Sequence, residues 1–138
     1  MAVLVFDEQL ANPRLITALR EREIEAMSVG DLGFTGRADP DVARGIERSI
    51  ADRGWVFVTM DLTILDDFAR FDWAEYAIAW IVLPDHVRGA AVERAKADIV
   101  HHHGRAISAQ TPGEHDTYTR RSHFHSPPSL TSLTRRRA

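Results

Sequence analysis

Two short apolar runs in this chain end in carboxylates. Val3-Leu4-Val5-Phe6 is followed by Asp7-Glu8, and Trp55-Val56-Phe57-Val58-Thr59-Met60 by Asp61. Between them, Asp39-Pro40-Asp41 supplies a further acidic pair. Carboxylates gathered in one place disfavour each other's ionised form unless a cation pairs with them. Arg or Lys can do this structurally. Mg2+ or Mn2+ does it chemically, because hard divalent ions take oxygen ligands and one or two carboxylates suffice. Such a site supports phosphodiester hydrolysis, since the ion lowers the pKa of a water and stabilises charge building on the scissile phosphate. A single acid after a strand usually caps a turn or helix. Jointly, Asp7, Asp61 and one or both of Asp39 and Asp41 read as one divalent-metal site. The chain has no cysteine, and no Ser-His-Asp arrangement offers a competing nucleophile.

The elements around these acids are those that would bring them together. Each apolar run has the length and β-branched content of a fully buried strand, and in open α/β sheets ligands bind beyond the carboxyl ends of strands. Asn12-Pro13 opens a helix, with Asn at the cap and Pro at the first position; Leu15, Ile16 and Leu19 form its inward stripe. Ile24 to Val29 reads as a second strand nearer a sheet edge. Gly30-Asp31-Leu32-Gly33-Phe34-Thr35-Gly36 lacks the Lys and Ser/Thr of a phosphate-binding loop and the spacing of a dinucleotide fingerprint, so it reads as a connection. Asp39 caps the next helix, Pro40 is its first residue, and Val42, Ile46 and Ile50 form its core face. Gly54 is its stop signal.

Leu62 to Phe71 reads as a short helix or loop over the site. Ala77 to Leu83 is a fourth strand, ended by Pro84. Val87 to about His101 is the covering helix, and Ala106-Ile107-Ser108 adds a little strand. Strands alternating with helices at this spacing imply right-handed crossovers and a mostly parallel sheet of four to five strands. The expected organisation is one α/β domain over residues 1–104, then a partly flexible, basic C-terminal extension over 105–138.

Charge is distributed unevenly. Residues 1–67 hold 13 acids and 7 Arg, and residues 68–138 hold 7 acids, 9 Arg and the single Lys, so a net −3 is the sum of −6 and +3. An acidic body with a basic tail suits a metal-using site joined to an arm for a polyanion or an acidic partner. Arg120 and Arg121, beside His115, His123 and His125 and interleaved with Tyr118 and Phe124, form a strip of the kind that holds single-stranded RNA. His101-His102-His103 is not a chelating set, because adjacent helix positions point about 100° apart. The absence of a secretory signal and of any run near the ~20 apolar residues of a membrane span leads to an expectation of a soluble, cytoplasmic protein without a membrane partner.

The opening Val-Leu-Val-Phe-Asp-Glu, the Asn-Pro-Arg-Leu helix start, Val29-Gly30-Asp31-Leu32-Gly33, Asp39-Pro40-Asp41 and Arg53-Gly54-Trp55-Val56-Phe57-Val58-Thr59-Met60-Asp61 together resemble the PIN-like domains. The nearest resemblance is to the small VapC-type toxins, over about residues 1–100. It implies a three-layer α/β/α PIN-like domain and a Mg2+- or Mn2+-dependent endoribonuclease acting as the toxin of a toxin–antitoxin system. It also implies a cognate antitoxin protein as partner, and a homodimer or hetero-oligomer as the assembly. Asp7 matches the family's first-strand acid, Asp39 or Asp41 the acid opening the middle helix, and Asp61 the acid after the Val-x-Val-Thr-x-Asp strand. Where the family often has another acid two positions later, this chain has Thr63. The further ligand is therefore Thr63, a nearby Asp66 or Asp67, or absent, with Glu8 as an additional candidate.

Asp7 and Asp61 are thus expected as direct metal ligands, and Asp39 or Asp41 as a further ligand or as the group orienting the attacking water. Two other readings compete. A receiver-like phosphoacceptor would hold magnesium on Asp7-Glu8 and take phosphate on Asp61, but needs a lysine after a late strand, whereas Lys96 falls within the covering helix. A non-catalytic PIN-like binding module would have an incomplete site and act through its partners.

Overall fold

A computed structural model of the chain describes residues 1–33, 39–50, 53–65 and 73–128, with the backbone alone for 39–42 and Trp73. The strands are β1 (Val3–Phe6), β2 (Ala26–Ser28), β3 (Trp55–Thr59), β4 (Ala77–Ile81), β5 (His115–Tyr118) and β6 (His123–Phe124). The α-helices are α1 (Pro13–Glu21), α2 (Asp39–Ser49) and α3 (Ala91–Ser108). All six strands join one sheet in the order β2-β1-β3-β4-β5-β6. The first five run parallel, and β6 returns antiparallel to β5.

The apolar runs are buried on both faces, so their residues alternate between two cores rather than between core and water. Leu4, Phe6, Val56, Val58, Ala77, Ala79 and Ile81 face the helices α1 and α3, where they meet Leu15, Ile16, Leu19, Ile99, Val100 and Ile107. Val3, Val5, Trp55, Phe57, Ile78 and Trp80 face the other way, against Ala43 and Ile46 of α2. The first core brings α1 and α3 close together. A Cβ on Gly104 would lie 3.1 Å from both Ile24 Cδ1 and Leu19 Cδ2.

Asn12 caps α1 as expected, its side chain accepting from the Arg14 amide at 2.9 Å. The far end of α1 closes with Glu23 N–H on the Arg20 carbonyl and Ile24 N–H on the Leu19 carbonyl. That pairing is a Schellman closure. It places Glu23 at φ 63°, in the left-handed region usually given to glycine.

Among the described residues the sheet therefore has six strands, against four to five expected. The additional strands come from residues 115–118 and 123–124, within the segment expected to be a C-terminal extension. Ala106-Ile107-Ser108 is not a strand but the last turn of α3, and α3 itself starts at Ala91 rather than Val87. The later start follows from Gly89, whose φ of 58° makes the turn ahead of the helix. The longer run follows from Ile107, fully buried in the first core one face-repeat beyond Val100.

Candidate functional site

In a sheet ordered 2-1-3-4-5, the connections leave in opposite directions from β1 and β3. The crevice beyond the carboxyl ends of those two strands is the usual ligand position in such sheets. Asp7 directly follows β1 and Asp61 lies two residues past β3, so both stand there. Thr59, the last residue of β3 and fully buried, links them. Its hydroxyl donates to Asp7 Oδ2 at 2.8 Å and accepts from the Asp61 amide at 3.0 Å.

Asp61 is held on both sides of its own peptide. Thr59 takes its N–H, and the buried Trp80 indole donates to its carbonyl at 3.0 Å. Its Oδ1 accepts from the Thr63 amide at 2.9 Å and the Thr63 hydroxyl at 2.7 Å. Thr63, expected as a candidate further ligand, thus acts as a donor that orients Asp61. Among the described residues, Asp61 Oδ2 is left without a hydrogen-bond donor. Asp7 Oδ1 accepts from the Glu8 amide at 2.8 Å.

Burial holds the Asp7 carboxyl above the usual carboxylate range, and the charges of Asp61 and Glu8 add to this. The Thr59 hydroxyl and Glu8 amide only partly offset it. A half-buried acid pushed toward protonation by burial, with neighbouring acids adding to it, is an arrangement that a cation would reverse. The donor set is oxygen throughout, which suits Mg2+ or Mn2+.

The other expected site residues divide three ways. α2 leads from β2 to β3, so its first residues, Asp39 and Asp41, start from the carboxyl side of the sheet, while Glu47 near its other end accepts from the Trp55 indole at the start of β3. The Asp39 and Asp41 side chains lie outside the description, as do Asp66 and Asp67 altogether. Glu8 is exposed at the start of a 3-10 turn, Glu8–Leu10. Lys96 donates to the Gln9 carbonyl of that turn at 2.8 Å and pairs with Glu93 at 2.9 Å.

Arg120 and Arg121 are exposed at the carboxyl end of β5, on the same sheet edge as Asp7 and Asp61. With Leu83, Pro84 and His86 they line an open cleft of about 600 Å3 beyond β4 and β5. Two strand spacings, roughly 10 Å, separate β5 from β3. The basic, aromatic strip expected from residues 115–125 is not continuous. Tyr118 is fully buried and donates to Gln110 Oε1 at 2.7 Å, and His115 contacts the Ala74 carbonyl at 3.1 Å.

Comparison with family models, with curated proteins and with solved structures finds no match.

A group outside the expected set emerges on the β5–β6 hairpin. Asp116, 3% exposed, receives His123 Nε2 at 2.8 Å and His125 Nδ1 at 3.3 Å on one carboxylate oxygen. One ligand atom from each of the three lies within 4.8 Å of the others, so they can hold a metal ion. The sequence signal is the alternate spacing of His123 and His125, which in extended chain turns both imidazoles to one side. His103 of the triple-histidine run is buried and hydrogen-bonded to the Thr119 carbonyl at 2.8 Å, while His101 and His102 are exposed.

Proposed function

We propose that this protein is a Mg2+- or Mn2+-dependent endoribonuclease of the PIN-like kind, working in the cytoplasm as the toxin of a toxin–antitoxin pair. The observation that carries the reading is the Thr59-linked Asp7 and Asp61, set at the carboxyl ends of neighbouring parallel strands where the strand order reverses. Asp7 and Asp61 would hold the ion, with Asp39 or Asp41 entering from the start of α2. When bound, the ion supplies an activated water and charge neutralisation at the scissile phosphate. The residues of the chain do the rest. Thr59 and Trp80 fix the backbone of Asp61, Thr63 sets its carboxylate, and Arg120 and Arg121 offer the phosphates of an RNA strand a place along the same edge. The α/β sheet with helices on both faces is compatible with the three-layer PIN-like domain that the sequence resembles. A cognate antitoxin would act by covering this edge.

The strand order 2-1-3-4-5 also belongs to receiver-like domains, which keeps phosphoacceptance by Asp61 as a second reading. Lys96 weighs against it, since its ammonium is engaged by Gln9 and Glu93. The deciding experiment is RNA cleavage by the purified chain in Mg2+, Mn2+ or EDTA, with Asp7→Asn and Asp61→Asn alongside. Metal-dependent cleavage lost in both variants supports the nuclease. Equal cleavage by all three proteins identifies a contaminant. Absent cleavage together with phosphorylation of Asp61 by a small phosphodonor supports the receiver reading, and partner binding without either supports a non-catalytic module.

A further inference from the structure

We infer that Asp116, His123 and His125 form a second metal site, separate from the carboxylate edge and selective for a borderline transition ion of the Zn2+ class. The first support is electrostatic. Asp116 is 3% exposed, and among the described residues its ionic partners are two imidazoles rather than Arg or Lys. A buried carboxylate needs a compensating charge, and a divalent ion shared with the two imidazoles would supply it.

The second support is geometric. Ligand atoms bound at 2.0–2.1 Å in a tetrahedral arrangement stand about 3.3 Å from one another. Asp116 Oδ2 and His125 Nδ1 are 3.3 Å apart, and His123 Nε2 lies at 2.8 Å. An opening of roughly half an ångström at His123 would bring both carboxylate–imidazole pairs to ligand spacing, and the ligand atoms of the two histidines lie within 4.8 Å of each other.

The third support is preorganisation. The antiparallel register sets His123 opposite Tyr118, and their rings stack at 4.3 Å with 21° between planes. Tyr118 is in turn anchored by Gln110. His123 is therefore fixed, whereas the His125 side chain is 76% exposed and gives the ion an entry path. Three protein ligands leave one tetrahedral position open to water. Two nitrogens and one oxygen favour Zn2+ over Mg2+, which prefers an all-oxygen shell. Bound there, the ion would tie the two-residue strand β6 to β5.

The test uses the full chain, stripped with a chelator and titrated with Zn2+ and separately with Mg2+ by calorimetry. Visible absorption of the Co2+ form serves as a second readout. One Zn2+ per chain is expected, with intense tetrahedral Co2+ bands and no Mg2+ binding at these residues. Asp116→Asn and His125→Ala should each weaken Zn2+ by more than about tenfold, the lower end of what even indirect ligand supports cost. The double variant His101→Ala/His102→Ala should leave binding unchanged. His125 is exposed, so its variant tests the site without threatening the fold. Absence of stoichiometric Zn2+ binding would overturn the inference. So would binding that survives both ligand variants, or that disappears in the His101/His102 variant.

Discussion

Thr59→Val is the substitution that most directly probes how Asp7 and Asp61 are joined. Valine keeps the shape of the side chain and removes only the hydroxyl. Two hydrogen bonds go with it: the 2.8 Å donation to Asp7 Oδ2 and the 3.0 Å acceptance from the Asp61 amide. A hydrogen bond to a charged group contributes about 1.5–3 kcal/mol, and an unsatisfied buried donor costs about 1–3 kcal/mol. Asp7 and Asp61 are only half buried, so water can replace part of what is lost, and the sum should fall near 2 kcal/mol. For a chain of this size that corresponds to a melting temperature lower by roughly 6–10 °C.

Thr59→Ser is the control, since it keeps the hydroxyl and drops one methyl at a fully buried position. It should cost about 1 kcal/mol. Denaturant unfolding of the three proteins gives the order wild type, Ser, Val. The Asp7 titration, followed by carboxyl NMR, should move further upward in the Val variant because a hydrogen bond that lowers it is gone. If Val proves as stable as wild type, or Ser costs more than Val, Thr59 is packing rather than linking the acids.

Other outcomes follow from the same geometry. Because the folded-state Asp7 pKa is raised, the folded chain binds more protons than the unfolded one between the ordinary carboxylate pKa and that higher value, and stability falls as pH rises through this window. Asp7→Asn should therefore be more stable than wild type at pH 7, with the difference closing below about pH 4, while losing cleavage; denaturant unfolding at both pH values checks it. Burial holds His103 below the usual imidazole range. Its contribution should be present above about pH 6.5 and lost as pH falls from there toward its folded value, a slope that His103→Gln should flatten in thermal melts. Glu23→Gly relieves a left-handed residue at the end of α1 and should raise stability by roughly 1 kcal/mol, read by denaturant midpoint. Arg120→Ala/Arg121→Ala should weaken RNA binding and reduce the salt slope of log K by about 1.4 for a single strand, measured by fluorescence anisotropy across a salt series.

Much of the central architecture is legible because the central strands are short, mostly apolar and sharply ended. Trp55–Thr59 is bounded by Gly54 on one side and Met60-Asp61 on the other, and the structure places β3 at those residues. Asn12-Pro13 announces α1 equally well. The reading fails where strand-forming residues are polar. His115-Asp116-Thr117-Tyr118 carries no apolar run, yet all four residues pair with β4 because Tyr118 fills the core and Asp116 finds two histidines. The same polarity concealed the Asp116 group, whose ligands meet only once the hairpin forms. By sequence Thr63 is a candidate substitute ligand; its two hydrogen bonds to Asp61 are visible only in three dimensions.

The central position of β1 also governs how the chain must reach its native state. Val3 pairs with Trp55, 52 positions downstream, and the Ala2 amide bonds to the Ser108 carbonyl at the end of α3. High contact order of this kind is associated with slow folding, because loop closure must precede the contacts that reward it. During synthesis, the most apolar segment near the start of the chain has neither lateral neighbour in the sheet until β2 and then β3 emerge. Any agent that engages Val3-Leu4-Val5-Phe6 in that interval competes with β3 for the same backbone. The chain would then be held short of the fold that brings Asp7 and Asp61 to one edge.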